Sequence, residues 1–299
     1  MIKKRFLLLF CVLILSLVGC SNDSNKENIN RQSDSNQVVV PDGGRETETD
    51  SEEDFEDEED FSIEEVIFDK ELQPFFMNYK EGCIVIRYDN TKQGISYHEE
   101  LSEVQRSPLS TFKILSTIIL LEEKIVTDVD QVIPWDGTIY QNESWNANQT
   151  LRSAFENSVV WVYKKLLSNV DDDTIANYLD RTNYGNKDIS GGEGFWLDSS
   201  LKISLKEQII FLEGLYYNKF NFNQNVIEKV KELMLINQTE NYKIYGKTGS
   251  SNEGTNLFVG FIESQEDVFF FATYVNEENA GYNVAKEISC NIAESLFLE

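Results

Sequence analysis

The chain of 299 residues holds a single histidine, His98. That scarcity excludes a His-rich metal centre and argues against a Ser-His-Asp arrangement. Basic residues are also few: 26 Lys+Arg stand against 52 Asp+Glu, a net charge of −26. Nucleic-acid binding needs basic patches to neutralise phosphates, so no nucleic-acid partner is expected. Cysteine is sparse too, with Cys11, Cys20, Cys83 and Cys290. The last two and one histidine do not make a zinc site, and no metal is expected. They could form a disulfide outside the cell or remain two buried thiols. Apolar residues make up 41%, slightly low for a globular chain whose length suggests one large domain or two small ones.

The low apolar content has a local cause. Residues 1–19 read as an export signal: Lys3, Lys4 and Arg5 precede the apolar run 6–18, which is too short for a confident membrane span. The run ends in Leu17-Val18-Gly19-Cys20, which resembles the bacterial lipobox, with Cys20 as the lipidated residue. This predicts an exported protein anchored by lipid on the outer face of the cell membrane, in a Gram-positive bacterium. Residues 20–62 read as an acidic disordered linker. Positions 21–60 carry 15 acidic and 3 basic residues and few large apolar ones, too few to offset the entropy of ordering. It reads equally as a stalk or as a plain solvated spacer.

From residue 63 to 299 the chain reads as one folded domain. Residues 82–89 form a β-rich run. Apolar residues at Ile114, Leu115, Ile118 and Leu121 predict a helix over 110–124, and a second is expected over 150–167. Asp171 opens a third helix, Ser204 and Glu207 form a capping box for a fourth, and 225–236 reads as a fifth. Strands are expected at 242–247, 257–262 and 268–275, followed by a terminal helix through Val284, Ile288 and Ile292. Strands flanking a long helical middle define an α+β fold, with helices packed on a mostly antiparallel sheet.

The chemistry lies in three short motifs. Ser110-Thr-Phe-Lys113 sets a hydroxyl and an amine three residues apart, on one face of a helix. The helix start offers N–H groups to a developing oxyanion. Apolar neighbours lower the pKa of a lysine, which activates a serine without histidine. Lys247-Thr248-Gly249-Ser250 ends a strand, where an ammonium and hydroxyls can hold a carboxylate and Gly249 admits a ligand to the backbone. Ser158-Val159-Val160, inside the helix expected over 150–167, offers a hydroxyl for proton relay.

Taken in order, S-x-x-K, S-x-V, Tyr184-Gly185-Asn186 and K-T-G resemble the serine penicillin-recognising enzymes, and among them the class D β-lactamases. Supporting blocks include Pro134–Gly137, Trp145-Asn146, Ser158–Tyr163, Asp188–Gly191, Phe195–Asp198 and Glu207-Gln208, so the likeness covers roughly residues 80 to 275. The resemblance implies an antiparallel sheet flanked by helices plus an all-helical subdomain, with the site between them. It implies hydrolysis of β-lactams, and hence β-lactam resistance, through an acyl-enzyme on Ser110. Ser158 would return the proton, and Lys247, Thr248 and Ser250 would orient the substrate. The backbone N–H groups of Ser110 and Ser250 would form the oxyanion hole. No separate cofactor is implied, but CO2 would add to Lys113 as a carbamate acting as general base, held by the Trp196 indole and covered by Leu197.

The sequence departs from that pattern in two places. The family's substrate-binding arginine near the terminal helix is absent, and Lys286 is the only base after Lys247. The strand Leu257-Phe258-Val259-Gly260 lacks the usual tryptophan. The alternative reading is a β-lactam sensor or penicillin-binding protein that is acylated but turns over poorly.

Overall fold

Helices are built here around one continuous sheet. The computed structural model describes residues 69–278 and 281–296. The expected signal, lipobox and linker lie outside the described residues. Helix α1 (Asp69–Phe76) leads into strands β1 (Glu81–Tyr88) and β2 (Gly94–Tyr97), then the single turn α2 (Glu99–Ser102). A 3₁₀ turn over Leu109–Phe112 runs into α3 (Lys113–Glu122). Helices α4 (Leu151–Glu156), α5 (Val160–Leu167), α6 (Asp172–Arg181), α7 (Leu205–Tyr216) and α8 (Gln224–Met234) follow. The chain then closes with β3 (Leu235–Gln238), β4 (Tyr242–Ser250), β5 (Thr255–Ser264), β6 (Val268–Asn276) and α9 (Val284–Leu296).

The six strands order as β2-β1-β6-β5-β4-β3, every pair antiparallel. The first strands in sequence therefore pair with the last, which closes the domain on itself. Burial runs almost unbroken along β1, β5 and β6, as expected for a sheet covered on both faces. On one face α1 and α9 pack over Ile84, Phe258, Phe271 and Val275. On the other lie α7 and the 3₁₀ turn. Helices α3, α4, α5 and α8 pack on one another as the helical subdomain. Its centre is α3, buried from Lys113 to Leu121, because its sequence is apolar on nearly every side. The α+β fold, with a helical subdomain beside an antiparallel sheet, is the expected one.

Local signals read from the sequence are realised at two helix starts. Asp171 accepts a bond from the Thr174 N–H, and Ser204 and Glu207 cap each other's backbone. Other expectations are corrected. The helix over 150–167 is two helices, α4 and α5, broken where Ser158 takes φ 53°. Left-handed backbone cannot continue a right-handed helix, so Ser158 lies between helices rather than inside one. The helix expected to reach 236 ends at Met234, where Leu235 turns extended and starts β3. Strand β2 was not anticipated either. Cys83, buried in β1, and Cys290, in α9, are free thiols.

Candidate active site

The site begins at a strained residue. Leu109 holds φ 54°, unusual for a side chain of its size, and its N–H is fixed by the Trp196 carbonyl at 3.0 Å. The 3₁₀ turn that follows presents Ser110, and α3 opens at Lys113. Lys113 Nζ donates to Ser110 Oγ at 3.1 Å. Lys113 is 1% exposed and Ser110 8%. Burial, and then the nearby charge of Lys247, hold the Lys113 amine well below the ordinary lysine range. A neutral amine beside a hydroxyl can accept its proton.

The second half of the site comes from β4 and the α4–α5 break. Lys247 Nζ donates to Ser158 Oγ at 2.6 Å and to the Thr248 carbonyl at 3.2 Å. The Thr248 hydroxyl lies 3.4 Å from the same amine. Burial, and then Lys286, push Lys247 down to about 7. Ser158 reaches Lys247 because the chain breaks there; Trp145 supports the break by donating its indole N–H to the Asn157 carbonyl.

Gly249 lies against the turn that carries Ser110. A Cβ built on it would meet the Pro108 carbonyl at 3.0 Å, and Leu109 Cβ and Thr111 Cγ2 at 3.2 Å. The turn that carries Ser110 thus needs glycine at this position for its close approach. Ser250, partly exposed, ends β4 opposite Asn256.

Trp196 is buried against Phe112, ring centroids 5.7 Å apart, beside Phe195. Its indole Nε1 is buried with no hydrogen-bond partner among the described residues. A donor in that state bears its full desolvation cost. Leu197 follows it, partly exposed.

Tyr184, Gly185 and Asn186 stand behind the site rather than in it. Tyr184 is fully buried against Phe112 and Phe211. Gly185 has φ 56°, and a Cβ there would lie 1.9 Å from the Lys202 carbonyl, so only glycine fits. Asn186 donates its N–H to the Lys202 carbonyl, accepts the Lys202 N–H on Oδ1, and gives Nδ2 to the Ser200 carbonyl. The motif is a clasp closing the loop that carries Trp196.

The sequence reading missed the polar groups under the nucleophile. Gln208 Nε2 donates to Thr111 Oγ1 at 3.0 Å, and Thr111 Oγ1 donates to the Pro108 carbonyl at 2.7 Å. The fully buried Tyr163 hydroxyl lies 2.8 Å from Thr117 Oγ1. Thr117 was within reach of sequence reasoning, since it follows Lys113 by one helical turn. Gln208 and Tyr163 belong to other elements, and nothing local marks their partners.

The fold is that of the β-lactamase-like serine hydrolase superfamily, and the two Ser–Lys pairs lie within it. The chain belongs to the penicillin binding protein transpeptidase domain family, whose model matches residues 76–294. Its relatives include class D β-lactamases. It is 35% identical to the probable beta-lactamase YbxI of Bacillus subtilis, over 71% of this chain and 79% of the relative. It is equally 35% identical to the regulatory protein BlaR1 of Bacillus licheniformis, over 71% of this chain but 36% of the relative. The match to the mecR1 protein of Staphylococcus aureus spans 40% of that protein. The chain thus covers about two fifths or less of those regulatory proteins. Among solved structures it is similar to a class D β-lactamase from Bacillus subtilis, with TM-score 0.73 and 34% identity over 76% of this chain and 95% of that one. The C-terminal domain of the Bacillus licheniformis BlaR penicillin-receptor gives TM-score 0.72 and 33% identity over 76% and 95%.

Proposed function

We propose that this protein hydrolyses β-lactams through an acyl-enzyme on Ser110. The observation that carries the reading is the buried pair of Ser110 Oγ and Lys113 Nζ at 3.1 Å, with burial lowering the proton affinity of the amine. Lys113 takes the hydroxyl proton as Ser110 attacks the lactam carbonyl. The C–N bond of the ring breaks, and its nitrogen receives a proton from Ser158, which Lys247 resupplies across 2.6 Å. Water then attacks the acyl carbonyl, the ester bond to Ser110 breaks with one water proton passing to the Ser110 oxygen, and the proton taken by Lys113 returns to Lys247. The hydroxyl of Thr248 and the Lys247 ammonium face the carboxylate that β-lactams carry beside that nitrogen.

CO2 as a carbamate on Lys113 belongs to the same proposal. The residues fit it: a buried amine of lowered proton affinity can combine with CO2, and the unpartnered Trp196 Nε1 would hold the product, with Leu197 beside it. Its contribution would be an anionic oxygen base. Cys20 is proposed as a lipid anchor on the sequence pattern alone; Cys20→Ser should then move active protein from membranes to medium.

A second reading is a β-lactam receptor that stays acylated, favoured by the likeness to the BlaR penicillin-receptor domain. One experiment separates the two. The full chain is mixed with nitrocefin in stoichiometric and excess amounts, and colour release is followed alongside intact mass. Sustained turnover supports hydrolysis. A single burst with a stable adduct on Ser110 supports the receptor, and no adduct and no turnover overturns both.

A further inference from the structure

One peptide unit sets the strain before Ser110. The peptide joining Pro108 to Leu109 is held at both ends. The Leu109 N–H donates to the Trp196 carbonyl at 3.0 Å, and the Pro108 carbonyl accepts Thr111 Oγ1 at 2.7 Å and the Thr111 N–H at 3.1 Å. The plane of that peptide goes with the φ of 54° at Leu109, the residue that hands the chain to Ser110. A leucine there would relax to an ordinary angle unless its surroundings over-determined it. The two grips come from different places, the loop carrying Trp196 and the 3₁₀ turn itself.

Behind the second grip stands Gln208 of α7, 2% exposed. Its Nε2 donates to Thr111 Oγ1 at 3.0 Å and lies 3.5 Å from the Tyr184 hydroxyl. A threonine hydroxyl has one proton and two lone pairs. With a donor on a lone pair, that proton must point elsewhere, and the Pro108 carbonyl receives it. Rotation of the side chain is hindered from β4, where a Cβ on Gly249 would lie 3.2 Å from Thr111 Cγ2. Gln208 Oε1, meanwhile, is buried with no hydrogen-bond partner among the described residues. A buried acceptor in that state costs stability. Methionine has the same length and no such atom, so packing does not account for the carboxamide.

We propose that Gln208 is a positioning residue for Ser110: by donating to Thr111 it points that hydroxyl at the Pro108 carbonyl, and so keeps the Pro108–Leu109 peptide in the orientation from which Ser110 attacks. The assignment rests on the acyl-enzyme reading above. It acts on the backbone of the nucleophile and asks nothing of the base. It applies to a hydrolase and to a receptor alike, since both are acylated. It also divides the work of two neighbours on α7: Glu207 caps the helix with Ser204, while Gln208 serves the turn.

The test follows labelling of Ser110 by benzylpenicillin in the full chain, by rapid-quench intact mass, with bicarbonate in excess throughout. A concentration series separates the limiting labelling rate from the half-saturating concentration. Gln208→Glu keeps the shape but turns the donor into an acceptor, so Thr111 should donate to the carboxylate and release the Pro108 carbonyl. The limiting rate should fall about ten- to a hundred-fold, with the half-saturating concentration held within a factor of about three. Gln208→Met removes the donor and the orphaned acceptor together, so labelling should slow several-fold while the melting temperature holds or rises. In a Thr111→Val background the same change should slow labelling no further, because no hydroxyl remains to be pointed. A lower melting temperature with labelling unchanged would mean that Gln208 only packs the core, and overturns this assignment. So does a loss by Gln208→Met that persists in full beside Thr111→Val, or a folded Gln208→Glu chain that labels like wild type. Should the glutamate variant not fold, the methionine pair decides alone. Failure of the wild-type chain to be labelled overturns the acyl-enzyme reading, and this assignment with it.

Discussion

Gly249 abuts Leu109 across the seam between β4 and the 3₁₀ turn, so closely that a Cβ on the glycine would lie 3.2 Å from that of the leucine and 3.0 Å from the Pro108 carbonyl. The strand edge and the strained residue before Ser110 are therefore set against each other. Gly249→Ala should push the turn back by a few tenths of an ångström. Misplacement on that scale costs reactivity more than stability, so acylation should slow roughly ten- to a hundred-fold while stability changes by about 1 kcal/mol or less. Stopped-flow labelling beside a denaturant melt checks the split; equal losses in both would show that the contact only supports folding.

Substrate charge should be read chiefly by Lys247. Its ammonium must be present to hold a carboxylate, and it sits at about 7 in the folded chain. The kcat/KM for carboxylate-bearing β-lactams should therefore decline as pH rises through that value. Lys286→Gln removes the like charge that helps push Lys247 down, so the alkaline limb should move to higher pH. Lys247→Ala should lower kcat/KM about ten- to a hundred-fold at neutral pH, the worth of one charge-assisted bond. Esterified substrate should lose less on that mutant than on wild type. Equal losses would mean that the carboxylate is read elsewhere, with Lys286 the first candidate.

Much of this was legible in the sequence because it is local. S-x-x-K sets Ser110 and Lys113 on adjoining turns whatever the fold does around them, and the caps at Asp171 and Ser204 depend on three residues each. The antiparallel sheet followed from the β-rich runs before and after the helical middle, at 82–89 and 242–275. What escaped depends on distant partners. Ser158 seemed helical because Val159, Val160 and the apolar residues after them continue the pattern of α4; the break exists to turn a hydroxyl toward Lys247, 89 residues away. Nothing in K-T-G-S reveals that Pro108 and Leu109 lie against Gly249. Short strands such as β2 and β3 carry too few residues to show a period.

Two buried lysines should make the stability of the folded chain depend on pH above neutrality. Lys247 stands at about 7 against an ordinary 10.5, so between those values the unfolded chain binds more protons than the folded one. Stability should accordingly rise with pH across that window and stop depending on Lys247 below it. Lys113 shifts in the same direction. Lys247→Met should raise stability at neutral pH by about 1–3 kcal/mol, roughly 2–10 °C in Tm, and flatten the slope, at the expense of activity. Calorimetry at several pH values reads both; an unchanged slope would mean that the amine stays charged in the fold.

Trp196→Phe removes the indole N–H and keeps a ring beside Phe112. If that N–H holds a carbamate, the variant should still be acylated on Ser110 yet release the product about ten- to a hundred-fold more slowly, the value of one bond to an anion. Added bicarbonate should recover part of the loss, and decarboxylating conditions should stall the wild type. Turnover indifferent to bicarbonate, together with normal release by Trp196→Phe, would leave Lys113 acting as a bare amine.

The clasp of Asn186 on Lys202 closes the loop between them. Both anchoring points lie at the base, while the tip is tied to the neighbours of Trp196, Phe195 donating its N–H to the Gly192 carbonyl at 3.0 Å and Leu197 to that of Gly194 at 2.8 Å. A Cβ at Gly192 meets nothing within 4 Å, and Glu193 is exposed. Residues inserted between Gly192 and Phe195 would thus break the turn that leads into the indole, and one added between Leu197 and Leu201 would slip it from the other side. The loop can therefore vary the side chain at exposed Glu193 but not its own length.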